Sequence, residues 1–80
     1  MKILIVRFSS IGDIVLTSPV VRILDEQLSG VELHFLVKKE YASIVNSNPR
    51  IARVFTINKS VNEVIFDLKK EQYDWVIDLH

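Results

Sequence analysis

The stretch KILIVRFSSIGDIV, residues 2–15, decides the fold. Ile3 to Val6 is a continuous apolar run, short and dense as in a central strand buried on both faces. Behind it stands a polar turn, RFSSIGD (residues 7–13), with two hydroxyls, one glycine and one carboxylate. Ile14, Val15 and Leu16 then resume the apolar pattern. A strand that gives way to a helix through such a turn opens a β–α unit, and the rest of the chain repeats that alternation.

Working outward, residues 12 to 28 read as helix, with Val20, Leu24 and Leu28 every four positions, Val21 and Ile23 beside them, and Gly30 as a stop signal. Pro19 lacks an N–H, so it predicts a kink, or a restart with Pro19 in the first turn behind Thr17 or Ser18. Val31, Leu33, Phe35 and Val37 alternate with Glu32, His34 and Leu36 as a strand with one more apolar face. Residues 40 to 47 form a short helix ended by Asn48-Pro49. Arg53 to Ile57 is a third strand. Ser60 and Glu63 have capping-box spacing ahead of Val61, Val64, Ile65 and Leu68, and Trp75 to Leu79 is a fourth strand.

The order βαβαβαβ implies an α/β fold: a parallel sheet with right-handed crossovers, strand order 3-2-1-4, half of a doubly wound Rossmann-like domain. Two crossover helices then share one face and the third covers the other alone. Part of the second face is expected to be bare, as in the front piece of a longer protein. A lone chain of this kind is expected to pair with itself through that face or to be marginally stable.

Composition agrees and excludes. Eighty residues, 49% apolar and 25% charged, make one small globular domain that buries only ~60% of its unfolded surface. Ten basic and ten acidic residues cancel, so no global field attracts nucleic acid or an anionic membrane, and at most a peripheral membrane contact is expected. With no cysteine, disulfides, thiolate metal sites and cysteine nucleophiles are excluded. No apolar stretch approaches the ~20 residues that span a bilayer, and the start is too short for a signal-peptide core. The expectation is a cytoplasmic chain.

Ligands of open parallel sheets bind beyond the carboxyl ends of the strands, where the strand order reverses. RFSSIGD lies there. It lacks the three glycines of a dinucleotide loop and the Gly-Lys-Ser/Thr ending of a P-loop. Asp13 therefore has two readings. It helps Ser10 cap the helix, or it is a general base in a cleft, with Ser9, Ser10 and the Gly12 backbone placing a substrate. A helix start keeps this carboxylate ionised, which suits an oxocarbenium-like transition state in which the attacking hydroxyl loses its proton late. Arg7, beside the turn, is the first choice for attracting an anionic acceptor, ahead of Lys38 and Lys39. His80 and Asp78 fall at the same edge. His34 reads as a partly buried histidine, and Trp75, Phe35, Phe55 and Phe66 as core or interface. No His/Asp/Glu group has metal-ligand spacing in the sequence.

The strand KILIV, the turn RFSSIGD and the following VLTSPV, together with the ending YDWVIDLH, resemble the amino-terminal part of bacterial ADP-heptose:lipopolysaccharide heptosyltransferases, glycosyltransferase family 9. The resemblance spans the whole chain. It implies a GT-B enzyme of which residues 1–80 are the front of the acceptor-side amino-terminal lobe, with the donor-binding carboxyl-terminal lobe absent. It implies inverting transfer of heptose, or a related sugar, from a nucleotide-sugar to a lipopolysaccharide core acceptor. No bound catalytic metal or other cofactor takes part. Asp13 maps onto the base, and Ser9, Ser10 and Gly12 onto the loop facing the substrates. Residues 1–80 alone are then expected to be inactive. The alternatives are a nonenzymatic Rossmann-like module that binds a phosphorylated small molecule, or an assembly fragment without ligand.

Overall fold

The computed structural model describes residues 1–8 and 11–79, and for Ile11 the backbone alone. The roles expected of Ser9, Ser10 and His80 lie outside the described residues. Four strands, β1 (Lys2–Val6), β2 (Glu32–Lys38), β3 (Arg53–Ile57) and β4 (Trp75–Asp78), form one sheet in the order β3-β2-β1-β4. All three pairings are parallel, with Ile5 opposite Phe35 and Ile77, and Leu36 opposite Phe55. The expected topology is the observed one.

The predicted first helix is broken in two, α1 (Ile11–Val15) and α2 (Ser18–Gln27). Pro19 is the cause. It lies in the first turn of α2 and cannot donate to the Val15 carbonyl, so the chain restarts behind Thr17. Thr17 does not cap the new helix with its side chain; its hydroxyl turns back to donate to the Ile14 carbonyl at 2.6 Å. The predicted helix at 40–47 is a 3-10 turn, Lys39–Tyr41, running into α3 (Ala42–Asn46). Ser60 and Glu63 make the full capping box at a second 3-10 turn, Val61–Glu63, ahead of α4 (Ile65–Glu71).

Strand alternation divides the core. Ile3, Ile5, Leu33, Phe35 and Val37 point to one face and pack against Ile14, Val21 and Val45 of α1, α2 and α3. Leu4, Val6, Leu36, Phe55 and Ile57 point to the other, where α4 supplies Leu68. Both faces of β2 are therefore buried, and His34 is 1% exposed, deeper than its alternating pattern suggested. One short helix cannot cover a whole sheet face. An apolar groove of about 560 Å³ remains beside α4, floored by Leu4, Val6, Leu36 and Val76. The bare second face is thus present. Phe35 and Phe55 are core as expected, but Phe66 and Trp75 are 76% and 63% exposed. Phe66 falls off the stripe formed by Val61, Val64, Ile65 and Leu68, and Trp75 opens an edge strand. Among the described residues no helix is long and apolar enough to cross a membrane.

Candidate active site

β1 ends in the middle of the sheet, between β2 and β4. Beyond its last residue the ladders run one step further. The Arg7 N–H donates to the Leu36 carbonyl at 3.2 Å, the Phe8 carbonyl accepts from Lys38 at 3.0 Å, and the Leu79 N–H donates to Val6 at 3.0 Å. The backbone that enters the turn is therefore held by the sheet on both sides, by β2 and by the end of β4.

Arg7 folds across this edge. Its Nη2 lies 2.6 Å from Oδ2 of Asp13, and its Nη1 donates to the Leu79 carbonyl at 2.5 Å. The guanidinium fork thereby joins the end of β1, the start of α1 and the end of β4. The side chain of Arg7 is 20% exposed and that of Asp13 is 47% exposed. The Nε of Arg7 is buried and finds no hydrogen-bond partner among the described residues. Arg7 and Asp13 form one wall of a cavity of about 250 Å³ completed by Leu16, Thr17, Val20 and Leu79. Asp13 is neither sealed inside nor loose in solvent: one oxygen is engaged by a cation, and the carboxylate sits at the mouth of a cleft. Arg7, expected to meet a substrate anion, is ion-paired with Asp13 and lines the same cavity.

Gly12 adds a second indication. Its φ is not in the left-handed region, and a Cβ built there meets no atom within 4 Å among the described residues. Glycine in a helix costs about 1 kcal/mol relative to alanine. The fold therefore gives no reason of its own for glycine at this position, whereas close approach of a ligand to the backbone does. Asp78 lies at the same edge and lines the groove beside α4. Lys38 is half-buried at the end of β2, while Lys39 is exposed and lines a separate cleft with Glu40, Ile57 and Asn58.

A second polar cluster lies at the opposite, amino-terminal edge of the sheet. Both ring nitrogens of His34 are engaged, Nδ1 with the Tyr73 hydroxyl at 2.7 Å and Nε2 with Glu32 at 2.5 Å. Glu71 stands 3.9 Å from Nδ1 and binds Lys2 at 3.1 Å and Arg53 at 2.8 Å. The Lys2 hydrogen bond, with the charges of Lys2, Arg53 and His34, holds the Glu71 carboxyl below the usual carboxylate range. Burial, with the negative charges of Glu71 and Glu32, pushes the Tyr73 hydroxyl up. Glu32, His34 and Glu71 bring their ligand atoms within 4.8 Å of one another, a spacing the linear sequence does not display because Glu71 arrives from α4. Each of these donors already has a partner, and two cations stand on Glu71, so the arrangement works as a clamp between α4 and the sheet. The sequence signal for it was limited to Glu32 and His34 two apart on one strand. Nothing local announced Glu71, Tyr73 or the Leu79 carbonyl.

No family model matches the chain. A lipopolysaccharide heptosyltransferase 1 from Campylobacter coli is 26% identical over 99% of the chain, which spans 25% of that protein. The crystal structure of a family 9 glycosyl transferase from Veillonella parvula superposes with a TM-score of 0.89 at 22% identity, over 99% of this chain and 26% of that one. The E. coli heptosyltransferase WaaC, solved with ADP, gives 0.75 at 26% identity, over 98% of this chain and 27% of that one. The chain thus spans about a quarter of the length of the proteins it matches. In sequence and in fold alike, from the β1 strand to the end of β4, it resembles the heptosyltransferases of glycosyltransferase family 9.

Proposed function

We propose that residues 1–80 form the front of the acceptor-side, amino-terminal lobe of an inverting glycosyltransferase that works in the cytoplasm, at the inner face of the inner membrane. Its donor is a nucleotide-activated heptose or related sugar, and its acceptor is a lipopolysaccharide core hydroxyl. The similar E. coli protein is a heptosyltransferase solved with ADP, which supports a nucleotide-sugar donor. Asp13 is the general base. It accepts the proton of the acceptor hydroxyl as that oxygen bonds to the anomeric carbon, and the carbon–oxygen bond to the diphosphate breaks with its electron pair leaving on the nucleoside diphosphate. Attack from the face opposite the leaving group inverts the centre. Gly12, with Ser9 and Ser10, faces the substrates, and the reaction calls on no further cofactor.

The observation that carries this reading is the placement of a half-exposed Asp13 at the mouth of a cleft at the carboxyl edge of β1. A carboxylate at that point repels a phosphate, which disfavours the phosphate-binding module. In the protein that joins this lobe to its donor-binding partner lobe, Asp13→Asn lowers kcat by ~10²- to 10⁴-fold, the usual range for loss of a general base. Donor binding stays unchanged and the protein still folds, with a lower unfolding midpoint from the lost ion pair to Arg7. Near-normal turnover in that variant returns Asp13 to a purely structural role.

A further inference from the structure

We propose that Arg7 is the positioning residue for Asp13: its guanidinium fork sets the direction of the carboxylate and keeps it ionised, rather than binding the acceptor. This rests on the reading of Asp13 as the base. Three observations carry it. The fork is spent within the protein, one arm on Oδ2 of Asp13 at 2.6 Å and the other on the Leu79 carbonyl. The backbone that carries it is fixed by the ladder bonds of Arg7, Phe8 and Leu79, so the fork reports the position of the sheet edge to the carboxylate. The Arg7 side chain is also the more buried of the pair. An arginine in this posture offers little of itself to a bulky anionic acceptor.

Of the described residues lining the cleft, Arg7 and Asp13 are the charged ones; Leu16, Thr17, Val20 and Leu79 complete it. Arg7 is thus the cation that faces the base among these lining residues. An arginine suits the task better than a lysine, because its planar fork holds two partners at once whereas an ammonium is a point charge without that geometry.

The test uses the two-lobe protein with a nucleotide-sugar donor and a core-oligosaccharide acceptor. Arg7→Gln lowers kcat by roughly 10- to 100-fold, the scale of a misplaced catalytic group, with acceptor KM unchanged. Losing the cation makes the carboxylate easier to protonate, so the acid limb of kcat moves to higher pH. Arg7→Lys restores the acid limb to its original place and most, not all, of kcat. Three results overturn the proposal: full kcat in Arg7→Gln, a rise in acceptor KM with kcat kept, or an acid limb that does not move. If Arg7→Gln does not fold, Arg7→Lys decides: a lower kcat at constant KM supports positioning, and a raised KM overturns it. Asp13→Asn, measured in parallel, separates the two readings. Full activity there removes the base itself, while an inactive Asp13→Asn beside a fully active Arg7→Gln removes only the role of Arg7.

Discussion

At the scale of single residues, Gly12 and Asp13 make opposite demands on the same turn. Asp13 needs a rigid environment, and the fork of Arg7 supplies it. Gly12 weakens the short helix it sits in and meets no atom that would forbid a side chain. Stability and function should therefore separate at position 12. Gly12→Ala raises the free energy of unfolding by up to ~1 kcal/mol, the helix-propensity difference, because no atom of the described residues opposes the added methyl. On the proposed role of Gly12, the same methyl meets the substrate, so transfer falls, through acceptor KM more than kcat. Urea unfolding followed by circular dichroism checks the first half, and steady-state kinetics on the two-lobe protein the second. A destabilised Gly12→Ala would mean that the turn itself, not a ligand, selects glycine.

At the scale of elements, α4 is held at both ends by carboxylates. Ahead of its first turn Glu63 accepts from the backbone N–H groups of Asn58, Lys59 and Ser60, and the Ser60 hydroxyl oxygen accepts from the backbone N–H of Asn62. Those backbone bonds, that of Lys59 foremost, hold the Glu63 carboxyl below its ordinary range. At its last turn Glu71 is held low by Lys2 and Arg53. A carboxyl whose folded pKa is depressed adds stability above its unfolded value, near 4.3, and loses it as pH falls through the folded value. Tyr73 acts in the reverse sense: raised by burial, it favours the folded state fully below ~10 and less as pH climbs beyond that. The urea midpoint is therefore flat between about pH 5 and pH 9 and drops on both sides. Glu63→Gln lowers the plateau and shallows the acid drop, and Tyr73→Phe removes the alkaline one. An unchanged acid limb in Glu63→Gln would remove the capping carboxylate from this account. These elements also show what the sequence could and could not tell. The strands and the capping box were legible because their causes are local: alternation, run length, a serine three residues before a glutamate. The break at Pro19 was legible for the same reason. The fork from Arg7 to Leu79 and the meeting of His34 with Tyr73 and Glu71 were not, since each joins residues that only the closed sheet brings together. The turn was legible as a candidate site, with Arg7 read as a substrate contact; the ion pair of Arg7 with Asp13 was not legible.

For the whole molecule the decisive fact is asymmetry between the two sheet faces. Three helices cover one, and α4 alone covers part of the other. A chain of this size has about 4 to 12 kcal/mol of stability at the usual 0.05–0.15 kcal/mol per residue, so the buried half of the sheet decides whether it folds. Leu36 and Val76 provide a controlled comparison, because both border the groove beside α4 but only Leu36 is packed from all sides. Leu36 is 1% exposed and Val76 is 58% exposed. Leu36→Ala leaves a cavity that the neighbouring strands cannot close and costs about 2–5 kcal/mol. Val76→Ala removes methyl groups that already meet water and stays within about 0.5 kcal/mol. Chemical denaturation of the isolated chain, read by circular dichroism, distinguishes the two directly. If Val76→Ala cost as much as Leu36→Ala, the outer end of this face would be buried in solution and the sheet would not be half bare. The expected inequality instead means that this face stands on the central strands, with Val76 at its uncovered end, while β4 adds its ladder to β1 and packs Ile77 on the opposite face.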